Sequence, residues 1–271
     1  LTSLTSEVNN ENLQIGINAL KALEHRGGKQ DFGDGAGIMT SIPFDLLGIE
    51  PNKYAIASIF GSQTRKVFNN SIGIFEQTFN QFGLQIKDYR EVKTNNDAIN
   101  PKALSSMPVM LQAIIKRPSH CRTIYSFEKL LYFAKQLTMA RLRTDHKDNE
   151  FYFTSLSPRT IVYKAMCTSD ELQKLFLDLQ DPNFKTSFAL FHRRFSTNTN
   201  PSWKKVQPFK LIAHNGEINT IRGNKLSAIS REKAIGLRKD ELVTRDDTSD
   251  SETFNEVLDA LKYRSSIPNT S

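Results

Sequence analysis

The stretch FALFHRRFSTNTNPSWKKVQPFKLIAHNGEINTIRGN, residues 188–224, decides how the rest of the chain is read. Phe188, Leu190 and His192 alternate with Ala189, Phe191 and Arg193, a period of two that predicts a strand ending where Ser196, Thr197 and Asn198 begin. A second apolar run, residues 209–213, is read as another strand and delivers His214, Asn215 and Gly216 at its end. Two strand ends that finish in polar, sharply turning residues, joined by a Pro-Ser-Trp loop, predict the floor of a small-molecule pocket.

Working outward, Leu13, Ile17, Leu20 and Leu23 recur at helical spacing and predict an amphipathic helix over residues 10–24, closed by His25-Arg26-Gly27-Gly28. The glycine-rich Gly33-Asp34-Gly35-Ala36-Gly37 is a weak phosphate-loop candidate, since no lysine follows at P-loop spacing and no helical pattern opens there; glycines so placed more often let backbones approach closely. Residues 53–60, 71–75, 84–92 and 109–115 read as strands, with a short helix at 77–82 and a polar loop over 93–106. Ser126 is expected to cap a helix carrying Phe127, Leu130, Leu131, Ala134 and Leu137, and the charged residues 141–150 to form a surface excursion. Residues 151–153 and 160–163 are expected to pair as a hairpin. Thr168 with Glu171, and Ser249 with Glu252, have capping-box spacing. The first box starts a helix burying Leu172, Leu175, Phe176 and Leu179; the second starts one carrying Phe254, Val257, Leu258 and Leu261, with Asp250 in its first turn. Strands and helices are both abundant and no repeat is evident, so the architecture is mixed.

A chain of 271 residues with 38% hydrophobic content can bury a sizeable core, and a single domain is expected. No apolar run approaches the roughly 18 residues of a membrane span, and the N-terminus lacks the charged-then-apolar order of a secretory signal, so a soluble, intracellular protein is expected. Two cysteines, Cys121 and Cys167, are too few for a disulfide scaffold and too sparse for a zinc or iron–sulfur site. The net charge of +7 arises from 36 basic and 29 acidic residues that are scattered rather than blocked. It reads as solvated surface, and nothing resembles the aromatic-basic ladder of a nucleic-acid binder.

The runs LEHRGG, GDGAGI, SLSPRTIVYKAM, DLQDP, HRRFSTNTNPSW, AHNGEINTIRGN and SDS together resemble the class II glutamine amidotransferase domain of glutamate synthase. The resemblance covers nearly the whole chain, taken as one amidotransferase type 2 domain over residues 1–271. It implies the α+β fold of N-terminal-nucleophile hydrolases, a four-layer αββα sandwich of two antiparallel sheets between helical layers. It also implies glutaminase activity: hydrolysis of the L-glutamine side-chain amide, with ammonia passed to a synthase domain or subunit that makes glutamate from 2-oxoglutarate. No cofactor is expected in this domain. FMN and iron–sulfur clusters are expected in the rest of such an enzyme, in the cytoplasm or in the plastid of a plastid-bearing organism.

Amide hydrolysis needs a nucleophile, a proton carrier, an oxyanion stabiliser and a grip on the substrate. By the resemblance, Arg194 holds the glutamine α-carboxylate through a planar two-pronged contact that lysine could not copy; taken alone, it reads as a structural ion pair. Asn215 and Gly216 match the oxyanion hole, although Asn-Gly by itself is more often a plain turn. Asp250 accepts from the substrate α-ammonium, or is merely a favourable charge at a helix start. Thr197, His25 and Arg26 fall in runs beside the glutamine pocket, and for His25 and Arg26 a surface-turn role is equally compatible. His192 and His214 read as structural histidines rather than metal ligands or bases, Trp203 as a wall of the loop, and Arg159 and Lys164 as structural.

The resemblance also implies an N-terminal cysteine whose thiol attacks and whose α-amine carries the proton, whereas the sequence starts at Leu1. Cys121 and Cys167 do not match that position and read as inert thiols. The expectation is that the first residues are omitted. An inactive relative that binds glutamine or a partner protein, and Thr2 as a substitute nucleophile, are the competing readings. Milder departures are Asn200, where the family has an aromatic residue, and an apparently shortened stretch over 225–248.

Overall fold

The computed structural model describes residues 7–26, 34–144, 146, 148–195, 201–212, 221–234 and 248–264. The N-terminal segment folds as α1 (Asn10–Ala22), capped by the Asn9 side chain, which accepts from Asn12 N–H. Then follow β1 (Ala36–Ser41), the short α2 (Phe44–Leu47) and β2 (Tyr54–Gly61). The next elements are α3 (Arg65–Gln81), β3 (Gln85–Glu91), α4 (Pro101–Leu104), β4 (Val109–Lys116) and α5 (Ile124–Thr144). The chain continues through β5 (Tyr152–Ser157), β6 (Thr160–Ala165), α6 (Ser169–Leu175) and β7 (Ala189–Arg193) to α7 (Ile221–Ala234) and α8 (Asp250–Arg264).

Among the described residues two antiparallel sheets result, one of four strands in the order β3-β4-β2-β5 and one of three in the order β6-β1-β7. Side-chain alternation explains their stacking. Along β2, Ala55, Ala57 and Ile59 pack under α3 and α5, against Phe75, Phe79, Phe127 and Leu131. The intervening Ile56 and Phe60 point the other way, into a core shared with β1, β6 and α1. Leu13, Ile17 and Leu20 of α1 and Leu172 and Leu175 of α6 complete that second core, giving helix, sheet, sheet, helix. The αββα sandwich implied by the resemblance is therefore the observed fold. Each buried Leu, Ile or Phe side chain among these contributes about 1.5–3 kcal/mol relative to exposure. No helix among the described residues is long and apolar enough to cross a membrane.

Several local expectations give way to tertiary context. Residues 71–75 lie in α3 rather than a strand: Ser71, Ile74, Phe75, Thr78 and Phe79 are buried at helical spacing, which a five-residue window cannot reveal. The loop at 93–106 holds a 3-10 turn and α4, begun by Asn95 and Asn100, whose side chains accept from Asp97 N–H and Lys102 N–H. The cap of α5 is Thr123, with Ser126 as its third helical residue; each hydroxyl accepts the other's backbone N–H, at 3.0 and 3.1 Å. The excursion at 141–150 begins as helix through Thr144 and contains the buried Asp148, which accepts from Ser71 Oγ and from the N–H groups of Glu150 and Phe151. β5 and β6 do not form a hairpin: β5 pairs with β2 and β6 with β1. The Ser157 hydroxyl, accepting from Arg159 and Thr160 N–H, turns the chain from one sheet to the other.

The Thr168–Glu171 capping box is present as expected, and Leu172, Leu175, Phe176 and Leu179 are buried. Ser249 likewise caps α8, its Oγ accepting from Glu252 N–H at 3.0 Å. That helix turns its polar side inward, however: Glu252, Asn255, Asp259 and Tyr263 are buried while Phe254 and Leu261 are exposed. Residues 209–212 are not a strand either; Leu211 N–H donates to Asn255 Oδ1 of α8 at 2.7 Å.

Candidate functional site

The antiparallel register sets Ala36 at the start of β1 opposite Arg193 at the end of β7, so the residues entering one strand lie against those leaving the other. Glycine makes this crowding possible. A Cβ on Gly35, whose φ is +90°, would lie 2.7 Å from Val206 Cγ2, and one on Gly37 would lie 2.3 Å from the Gln207 carbonyl oxygen. Residues 206–208 therefore cross directly over β1, joined by the bridge between Phe195 and Val206. The glycine-rich run thus serves close backbone approach and leads into a strand, not into a phosphate-binding helix.

Arg193 is buried and clasps Glu24: its Nε and Nη2 donate to the carboxylate at 2.9 and 2.7 Å, and its Nη1 donates to the Gly35 carbonyl at 2.9 Å. Glu24 also accepts from Ser169 N–H at 2.9 Å. The Arg193 guanidinium, aided by Ser169, holds the Glu24 carboxyl down at about 2. Four segments are tied at this point: the turn after α1, the start of β1, the end of β7 and the start of α6. His25 rides on that turn, exposed, with Nδ1 3.0 Å from the Ala22 carbonyl. Arg26 ends the same turn, and its side chain lies outside the described residues.

Arg194 follows with φ at +151°, a conformation that costs a non-glycine residue on the order of 1–3 kcal/mol. Its backbone is overdetermined. Its carbonyl oxygen accepts from Gln207 N–H at 3.4 Å and lies 3.1 Å from His192 Nδ1, and the next N–H, of Phe195, donates to the Asp34 carbonyl at 2.7 Å. The Arg194 Nε sits 3.2 Å from Asp34 Oδ2, pairing a side chain 42% exposed with one 2% exposed. The ion pair of the plain reading is thus present, on an arginine that still reaches solvent.

Asp250 begins α8, half-buried, its Oδ1 accepting from Ser251 N–H at 2.7 Å. No ion pair joins Asp250 and Arg194 among the described residues. Thr197, Asn215 and Gly216 lie outside the described residues, as does His214. Trp203, read as a wall of the loop, is buried, its indole N–H donating to Ser106 Oγ at 3.2 Å and its ring edge-on to Phe60. Burial pushes the Cys167 thiol up, and Cys121 is also buried, which suits inert thiols. A small open cleft lies elsewhere, lined by Arg143, Tyr152, Lys204 and Glu252 among others, and neither Arg194 nor Asp250 lines it.

Glu24 and Arg193, which stand beside His25 and Arg194, were not selected from the sequence, and Asp34 was named only as part of the glycine-rich run. Lys164, read from the sequence as structural, has an unusual environment. This lysine is fully buried; its Nζ donates to the Lys204 carbonyl at 2.7 Å and lies over the rings of Tyr152 and Phe209. Desolvation pulls it down to about 7 against the opposing attraction of Glu252. The signal available was a lysine inside an apolar strand run.

Comparison with known proteins matches residues 1–270 to the family described as glutamine amidotransferases class-II. Ferredoxin-dependent glutamate synthase 1 of Arabidopsis thaliana, named as chloroplastic/mitochondrial, is 37% identical over 80% of this chain and 14% of its own length. Ferredoxin-dependent glutamate synthase 2 of Synechocystis is 34% identical over 90% of this chain and 17% of its own. The large chain of the NADPH glutamate synthase of Bacillus subtilis is 38% identical over 77% and 14% respectively. The chain thus spans about a sixth or less of the length of these curated relatives. With a family match over almost every residue and the two-sheet sandwich beneath it, the chain belongs to the class-II glutamine amidotransferases.

Proposed function

We propose that this chain is the glutaminase part of a glutamate synthase, hydrolysing the side-chain amide of L-glutamine and supplying ammonia to a synthase domain or subunit that makes glutamate from 2-oxoglutarate. The observation that carries the reading is Arg194, an arginine held in a costly backbone conformation with its side chain still reaching solvent. Strain of this kind persists where the surrounding structure enforces it, and it concentrates at ligand-gripping positions.

In this reading the Arg194 fork binds the substrate α-carboxylate and Asp250 accepts from the α-ammonium, with Thr197, His25 and Arg26 bordering the pocket. The nucleophile is the N-terminal cysteine of the family. Its thiolate adds to the amide carbon, the α-amine passes a proton to the departing nitrogen, the C–N bond breaks with loss of ammonia, and water hydrolyses the thioester to glutamate. The Asn215 side-chain N–H and the Gly216 backbone N–H stabilise the oxyanion, and loss of such a donor costs about 2.7–4 kcal/mol of transition-state stabilisation. FMN and iron–sulfur clusters are assigned to the remainder of the enzyme, and the compartment to the cytoplasm or a plastid.

The test is ammonia release from L-glutamine by the full-length protein and its variants. Arg194→Lys should raise KM sharply, and Asn215→Ala should lower kcat far more than it raises KM. Unchanged kinetics in the first, or a pure binding defect in the second, would remove the corresponding role.

A further inference from the structure

The guanidinium of Arg194 has two usable edges, one carrying Nε and one formed by the two terminal nitrogens. Asp34 sits at the Nε edge, 3.2 Å away. Because Asp34 is buried while Arg194 is half-exposed, the carboxylate is the fixed partner and the long side chain the adjustable one. The backbone at Asp34 is anchored too: its carbonyl accepts from Phe195 N–H at 2.7 Å, and the next residue, Gly35, accepts from Arg193 Nη1. Asp34 therefore touches Arg194 through its carboxylate and the following peptide through its carbonyl. The Arg194 Nε is buried yet meets no acceptor at a hydrogen-bonding angle among the described residues, a donor that a small tightening of the pair would satisfy.

We propose that Asp34 is a positioning residue for substrate recognition, pinning the Nε edge of Arg194 so that its terminal edge is presented to the α-carboxylate of the incoming amino acid. The inference rests on the carboxylate-gripping role given to Arg194 above. An unpinned arginine would spread over many rotamers, and ordering it would be charged against each binding event. A pinned one meets a planar carboxylate with two parallel N–H donors already aligned. The Glu24–Arg193 clasp, one residue earlier, holds the strand end from which Arg194 projects.

The experiment is steady-state glutaminase kinetics of the full-length protein, comparing wild type with Asp34→Asn, Asp34→Ser and Arg194→Lys. Competitive inhibition by γ-aminobutyramide, which is glutamine without its α-carboxylate, is measured alongside. Asp34→Asn should raise KM for L-glutamine about tenfold with kcat within about twofold, while the inhibition constant of γ-aminobutyramide stays within about twofold. The Ser variant gives the same readout from a smaller side chain should the Asn variant fail to fold. An unchanged KM in the folded Asp34 variants, or equal weakening of glutamine and γ-aminobutyramide, overturns the role of Asp34. If Arg194→Lys also leaves KM unchanged, the reading of Arg194 itself fails; if only Arg194→Lys raises KM, the failure belongs to Asp34 alone.

Discussion

Gly37→Ala tests the crossing of residues 206–208 over β1, on which the placement of the candidate site depends. The new methyl would lie 2.3 Å from the Gln207 carbonyl oxygen, 2.8 Å from Lys164 Cβ and 2.9 Å from Pro208 Cδ. The nearest of these is backbone, so relief requires the crossing chain to lift by about 0.7 Å or more in a close-packed interior. Overpacking of this kind costs about 1–3 kcal/mol, and a rigid backbone obstacle puts Gly37 in the upper part of that range. Restriction of the unfolded chain by alanine returns only about 0.4–1 kcal/mol, leaving a net loss of about 2 kcal/mol. In a domain of this size that corresponds to a fall in Tm of about 4–8 °C. Equilibrium urea unfolding and thermal melts of the variant read the loss. Gly73→Ala in α3 is the control, since its Cβ would meet nothing within 4 Å and helix propensity favours alanine by about 0.8–1 kcal/mol. A Gly37→Ala protein within about 0.5 kcal/mol of wild type would refute the close-approach argument.

Glu24 has a depressed folded pKa, so its stabilising contribution is present above the unfolded value of 4.5 and is lost as pH falls toward about 2. With a side chain 40% exposed and screened by solvent, the Glu24→Gln variant should lose about 1 kcal/mol less than wild type between pH 7 and pH 3 in urea titrations; parallel losses would contradict this. Lys164 also has a depressed folded pKa, but as a cation it gives up its proton on folding between about 7 and 10.5, so its contribution makes stability rise with pH across that window. Lys164→Met should remove a slope approaching about 1.4 kcal/mol per pH unit, and an unchanged slope from pH 7 to 10 would show that the buried amine does not titrate there. Tyr163 donates to Asp178 Oδ2 at 2.8 Å, and Asp178 is also paired with Arg90 of β3. Tyr163→Phe should cost about 1–2 kcal/mol in the same assay, and a neutral result would mean that Arg90 alone satisfies the carboxylate.

Much of the fold was legible because its cues are local. The Thr168 capping box, the helical spacing of Leu13, Ile17 and Leu20, and the alternation through Ala189–Arg193 each lie within a few neighbouring residues, and each element formed as its pattern required. The misreadings share one cause. The Ser-Ile-Gly-Ile-Phe run in α3 is apolar over too short a window to distinguish helix from strand, and the two strands on either side of Ser157 look like a hairpin until their partners β2 and β1 are known. In α8 the inward face is polar because Asn255 and Asp259 meet Leu211 and Lys210, which no helical periodicity could announce.

The candidate site divides in the same way. Arg194 and Asp250 were selectable from their motifs, since residue type and neighbouring sequence carry that information. That Asp34 faces Arg194, that Glu24 clasps Arg193, and that Lys164 lies buried under the chain crossing β1 depend on segments between about 40 and 170 residues apart. Periodicity and capping report how a residue interacts with neighbours a few positions away. Long-range ion pairs and backbone crossings appear only once burial has brought distant segments together, and it is these that hold the arginine in place.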